Sequence, residues 1–179
     1  VGVDAVRWLQ RQPEDFLWVN GTFGAGKSLA VDRLFQQALC DYRDGKQARL
    51  PIFLQAKTLI RPLGEEIATR AEELGDFYRQ GVYAVIDGAD ERTKQEGRQL
   101  VQEAASYVRA HPGSKVLITS TFLEVSGQQP KTLPQLSKSE ADALLRRLTG
   151  KQAFGFSFLS DSRFGADFSN PFFVILYAR

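Results

Sequence analysis

The chain has 179 residues, with 23 Lys and Arg, 21 Asp and Glu, 43% apolar and 25% charged residues. That length suits one domain, and the balance excludes disordered and fibrous classes. A formal charge of +2 without a basic run gives no footing for nucleic acid, and the longest apolar run, Pro171 to Ala178, is well short of the roughly 20 residues that span a bilayer.

The first element expected in chain order is a short amphipathic helix over Val3 to Arg11, ended by Pro13. Phe16-Leu17-Trp18-Val19 reads as a buried strand before Asn20-Gly21. Leu29 to Asp41 carries two adjacent i, i+4 rows, Ala30, Leu34, Ala38 and Val31, Phe35, Leu39, which predict one apolar helix face. Cys40 falls in this helix, where a small buried residue is expected, and a lone cysteine suits a reducing, cytoplasmic setting. Leu50 to Leu54 is a second strand, with Pro51 arguing for a strand start.

Leu63, Ile67, Ala71, Leu74 and Tyr78 follow helical spacing up to Gly81. Val82 to Ile86 is a continuous apolar run, as a strand covered on both faces requires, and it ends in Asp87. A helix through Leu100, Val101, Ala104, Ala105 and Val108 stops at His111-Pro112-Gly113, and Val116-Leu117-Ile118 is a further strand. Glu124 to Lys131 reads as a polar loop, and Lys131 to Leu136 as a short edge strand interrupted by Pro134. Ser137 and Glu140 form a capping box that opens a helix through Leu148, and Asn170-Pro171 starts a final apolar helix. Trp8, Trp18 and the Phe-rich 154–173 stretch are expected in the core. Alternating strands and helices predict an α/β three-layer sandwich with a mostly parallel sheet and helices on both faces. Residues 1–136 are expected to form its core and residues 137–179 a helical extension. The sequence contains no methionine, which suggests a piece of a larger multidomain protein.

Between the first strand and the following helix stands Gly21-Thr22-Phe23-Gly24-Ala25-Gly26-Lys27-Ser28, followed by Leu29. Phosphate needs several N–H donors at once, and small residues let the backbone curl around it; the helix N-terminus adds its dipole. Lys27 is then spaced to reach the β- and γ-phosphates, and the Ser28 hydroxyl to ligate Mg²⁺. Asp87 at the end of an apolar strand supplies a metal-holding acid, and Asp87-Gly88-Ala89-Asp90-Glu91 adds two carboxylates beyond a small residue.

This small-residue step followed by paired acids resembles the NACHT nucleotide-binding domains of the STAND class of signalling ATPases. Leu50-Pro51-Ile52-Phe53-Leu54 is similar to that family's second strand, Leu117-Ile118-Thr119-Ser120 to its sensor strand, and Asn170-Pro171-Phe172-Phe173 to its proline-led helix near the adenine. The resemblance implies binding of ATP or ADP by Gly21 to Leu29 with Pro171 near the base, and Mg²⁺ on Ser28 and Asp87. It further implies water activation by Asp90 and Glu91, sensing of phosphate by Thr119, Ser120 and Thr121, and slow hydrolysis. A nucleotide-dependent switch that forms homo-oligomers, in immunity or antiviral defence, is the family-level expectation. The family often has an arginine where this chain has Thr121, with Arg163 and Arg92 as possible substitutes.

Two other readings stand beside it. An AAA-type cycling ATPase normally has Glu where Gly88 stands, and a small-molecule kinase needs an Arg-rich lid, for which Arg146-Arg147 is the candidate. Val125 to Gln129 resembles the signature segment of ABC-transporter ATPases, but it follows the acid strand instead of preceding it, so it reads as a loop.

Overall fold

Segments rich in aliphatic and β-branched residues build the sheet: β1 (Phe16–Asn20), β2 (Leu50–Gln55), β3 (Val82–Asp87), β4 (Lys115–Ser120) and β5 (Lys131–Thr132). In the computed structural model, which describes residues 3–74, 80–121, 123–149 and 170–177, these strands pair in parallel in the order β2-β3-β4-β1-β5. β2, with Pro51, lies at an edge of the sheet, where a missing N–H is tolerated. The helices are α1 (Val3–Gln10), α2 (Lys27–Arg43), α3 (Leu63–Glu73), α4 (Lys94–Ala110), α5 (Lys138–Thr149) and α6 (Pro171–Tyr177). Tyr78, Arg163 and the stretch 151–169 lie outside the described residues.

Period-two alternation along the strands divides the core between the two faces of the sheet. Val82, Ala84 and Ile86 of β3 join Ile67 and Ala71 of α3 and Leu100, Val101 and Ala104 of α4 on one face. Tyr83 and Val85 join Leu9 of α1 and Ala30, Val31 and Leu34 of α2 on the other. The result is the three-layer α/β sandwich expected from the alternating elements. Capping fixes two helix starts: Thr93 and Glu96 form a reciprocal box at α4, and Ser137 and Glu140 do the same at α5.

Two expectations on α2 fail. Cys40 is exposed, because it lies about 200° around the helix from buried Ala38. Leu39 is 44% exposed: each i+4 step advances the row by about 40°, so Val31 is buried, Phe35 is half-buried and Leu39 has rolled out of the interface. Trp18 is buried as expected, whereas Trp8 is half-buried and Phe172 is exposed.

Candidate functional site

The register of the parallel ladder sets which residues meet at its C-terminal edge. Asn20 pairs with Ser120 and Val19 with Thr119 across β1 and β4, while Ile86 pairs with Ile118 across β3 and β4. The ends of β1, β3 and β4 therefore lie level, and Asn20, Asp87, Thr119 and Ser120 share one edge. In open α/β sheets that edge is where ligands bind.

The Gly-rich loop leaves β1 here. Asn20 fixes its departure: its Oδ1 accepts the Gly21 N–H at 2.9 Å, and its Nδ2 donates to the Leu123 carbonyl at 3.1 Å. Ser120, fully buried, accepts from Trp18 Nε1 at 2.8 Å and donates to Asn20 Oδ1 at 3.4 Å, so its hydroxyl is spent on holding the loop's base. Gly26, in the left-handed region at φ 83°, closes the loop into α2, whose first turn carries neither a side-chain cap nor an acid. The orphan N–H groups of that turn and its positive dipole end are thus left for an anion.

Lys27 folds back over the loop, donating to the carbonyls of Gly21 at 2.9 Å and Thr22 at 3.0 Å. Burial pushes its ammonium below the ordinary lysine range, with the charges of Asp90 and Asp87 acting the other way. Ser28 and Leu29 are exposed at the start of α2.

Thr119 of β4 and Thr121 just beyond that strand bind the acid segment. Thr119 Oγ1 donates to Asp87 Oδ1 at 2.5 Å and accepts the Gly88 N–H at 2.9 Å. The Thr121 N–H donates to Asp90 Oδ1 at 2.8 Å, which ties Asp90 to the end of β4. Glu91 turns the other way, into an ion pair with Lys57 at 3.2 Å. Asp87 and Asp90 thus act on Lys27, and Glu91 does not contribute to its shift. Arg92, named from the sequence as a substitute for the arginine the resemblance leads one to expect, is committed to the carbonyls of Ala56 and Leu59 at 3.3 and 2.9 Å. Arg146 pairs with Asp142 on its own helix at 2.7 Å.

An apolar cleft adjoins the loop. Ala5, Ala25, Gly26, Leu29, Ala30, and Leu133 to Leu136 line a cavity of about 140 Å³ together with Glu140 and Pro171. A second cavity, of about 230 Å³, shares Ala25, Leu133 and Gln135 with it and extends along Asn20, Gly21 and Thr22. The expected Pro171 is therefore part of the cleft wall. Ala5 and the Leu133–Leu136 segment were not singled out from sequence, since they carry no charge and no motif. Their approach to the loop depends on β5 pairing with β1.

Asp87 is half-buried at the sheet edge and Ser28 exposed at the helix start, which gives two oxygens of the type Mg²⁺ takes. Mg²⁺ is ordinarily held by one or two protein oxygens plus phosphates and water, and no cluster of three or more ligating residues exists among the described residues. The donor set fits that ion in company with phosphates. Among the same residues, no helix is long and apolar enough to cross a membrane.

Parallel strands, a Gly-rich turn from β1 into α2 and an acid at the end of β3 decide the fold. It is a P-loop NTPase fold. Among solved structures, the P-loop chain is similar to the FIGL-1 AAA domain in complex with ADP (17% identity, TM-score 0.49, covering 94% of this chain and 64% of that one). It is also similar to PCH-2 of C. elegans (15%, TM-score 0.46, 81% and 44%) and to a structure described as the basis of katanin self-assembly (15%, TM-score 0.49, 84% and 52%). The chain thus spans between 44% and 64% of the length of these structures. No family model matches it, and no curated protein does.

Proposed function

We propose that this domain binds ATP or ADP with Mg²⁺ and serves as a NACHT-type signalling switch with slow hydrolysis. The observation that carries the reading is the convergence of Lys27, Asp87 and Asp90 at the start of α2, beside an apolar cleft closed by Pro171. Phosphates on the loop would take the donors of α2's first turn and the Lys27 charge. The base would lie in the cleft between Ala5, Leu133 and Pro171. Asp87 and Ser28 would hold Mg²⁺, which when bound neutralises charge on the phosphate oxygens. Asp90, tied to β4 through the Thr121 N–H, is the better placed of the two acids to orient water, since Glu91 is paired with Lys57.

Moving a two-state switch from about 1:99 to 99:1 takes roughly 5.5 kcal/mol of differential affinity. Helices α5 and α6, joined by their own cluster of Ala141, Leu145 and Val174, are the element such a switch would move as the start of a helical extension.

Calorimetric titration of ATP and ADP into wild type and Lys27→Ala, with turnover measured alongside, tests the reading. Wild type is expected to bind both nucleotides, Lys27→Ala to lose affinity, and turnover to be slow. Equal affinity in Lys27→Ala would remove the site assignment. Steady turnover at tens of cycles per second would instead favour the AAA-type reading, against which Gly88 stands: its φ of 77° is a left-handed conformation in which a glutamate would be strained.

A further inference from the structure

Three consecutive residues at the entrance to α6 contact the phosphate loop. Asn170 is buried, and its amide is divided between two backbone partners. Its Nδ2 donates to the Phe23 carbonyl at 2.8 Å, and its Oδ1 accepts the Phe172 N–H at 3.0 Å. A Cβ built on Gly24, at φ +76°, would lie 2.3 Å from Phe172 Cβ and 3.0 Å from Asn170 Oδ1. One built on Gly26 would lie 3.9 Å from Pro171 Cγ. The rings of Phe23 and Phe172 meet edge to face, with centroids 5.4 Å apart.

We propose that Asn170 is a positioning residue that couples the conformation of the phosphate loop to the seating of α6; this rests on the reading that the loop holds nucleotide phosphates. The reason lies in the planarity of the peptide unit. In a trans peptide the C=O and the following N–H point in opposite directions, so a hydrogen bond that fixes the Phe23 carbonyl also fixes the aim of the Gly24 N–H, one of the loop's donors. The other half of the same amide caps the first turn of α6. Rotation of the Phe23–Gly24 peptide therefore breaks the Asn170 contact or drags the start of α6 with it. Close packing allows no slack between them, because Gly24 already touches Phe172 where any side chain would collide. Two residues further along the same helix, Val174 packs on Ala141 and Leu145 of α5, so a displacement of α6 as a rigid element is passed to the helical extension. The coupling is reciprocal: whatever seats α6 raises nucleotide affinity by the factor with which nucleotide seats α6.

Asn170→Asp separates the two halves of the amide. It retains an oxygen for the Phe172 N–H and places a second oxygen, not a donor, against the Phe23 carbonyl. Asn170→Ser keeps a capping hydroxyl too short to reach Phe23. In the 179-residue chain, ADP and ATP affinities are measured by calorimetry, and exchange of the Phe172 amide is followed with and without ADP. Wild type is expected to bind and to show slowed Phe172 exchange with ADP. Both variants are expected to lose about tenfold in affinity and the ADP-dependent slowing, while the nucleotide-free protein still melts cooperatively, at a lower temperature than wild type. Should Asn170→Asp not fold, Asn170→Ser is read alone. Variants that bind as wild type does, or keep the ADP-dependent slowing at Phe172, overturn the coupling and leave the nucleotide site standing. A wild type that binds neither nucleotide removes the site reading itself.

Discussion

Thr119 Oγ1 stands between Asp87 Oδ1, to which it donates at 2.5 Å, and the Gly88 N–H, from which it accepts at 2.9 Å. One hydroxyl therefore sets the rotamer of Asp87 and satisfies the first backbone donor after β3. Thr119→Val keeps the shape and removes both bonds, leaving a buried N–H without a partner. A loss of about 1–3 kcal/mol in chemical denaturation is expected, together with weakened Mg²⁺-dependent turnover. Thr119→Ser is expected to restore most of both, and a Thr119→Val protein as stable and active as wild type would refute the role.

The depressed Lys27 ammonium carries a pH dependence with a definite sign. Its folded pKa lies below the ordinary value of 10.5 because burial disfavours the charged form, so the unfolded chain holds more protons between the two values. Stability from this group therefore rises with pH through that window and is lowest below it. Nucleotide binding runs oppositely, since phosphate favours the charged amine: affinity is expected to fall as pH passes the free-domain pKa, with proton uptake on binding in that range. Calorimetry in buffers of differing ionisation enthalpy measures the uptake, and the absence of any above neutral pH would contradict the assignment.

Asp90 and Glu91 are adjacent in sequence and differ in what they touch. Asp90→Ala is expected to keep nucleotide binding and slow hydrolysis, and Asp90→Asn to preserve the acceptor for Thr121 N–H and hence the local structure. Glu91→Gln removes only an exposed ion pair with Lys57, whose net worth is about 0–1 kcal/mol. Its turnover is expected to stay closer to wild type than that of Asp90→Ala. A larger defect for Glu91→Gln in single-turnover assays would reverse the assignment of the two acids.

Gly24 and Gly45 form a matched pair for stability. Both lie in the left-handed region, at φ 76° and 70°, where an alanine costs about 1–2 kcal/mol. Nothing lies within 4 Å of a Cβ at Gly45, whereas at Gly24 Phe172 Cβ would be 2.3 Å away. Gly24→Ala is expected to lower the melting temperature clearly more than Gly45→Ala, and equal shifts would show that α6 yields without cost.

Much of the fold is legible because each strand and helix declares itself through local periodicity. Val82 to Ile86 is short, continuously apolar and rich in β-branched residues, as a strand buried on both faces requires, and the loop from Gly21 to Ser28 carries its glycines where a tight phosphate turn needs them. Thr119 and Pro171 were singled out from the sequence by resemblance, and the structure places them beside Asp87 and in the cleft wall. The partners Asn20, Lys57 and Leu133 were not, because a hydrogen-bonding amide, a lysine or a leucine has the same local signature in a site as elsewhere.

What the sequence by itself determined is thus the type of each element and the chemistry of the loop, since both depend on residues near one another along the chain. Only the tertiary structure decided the strand order with β4 between β1 and β3, the separation of Asp90 from Glu91, and the clasp of Asn170 on Phe23. Those depend on contacts between residues as many as 147 positions apart, which arise from packing, and no local pattern encodes them.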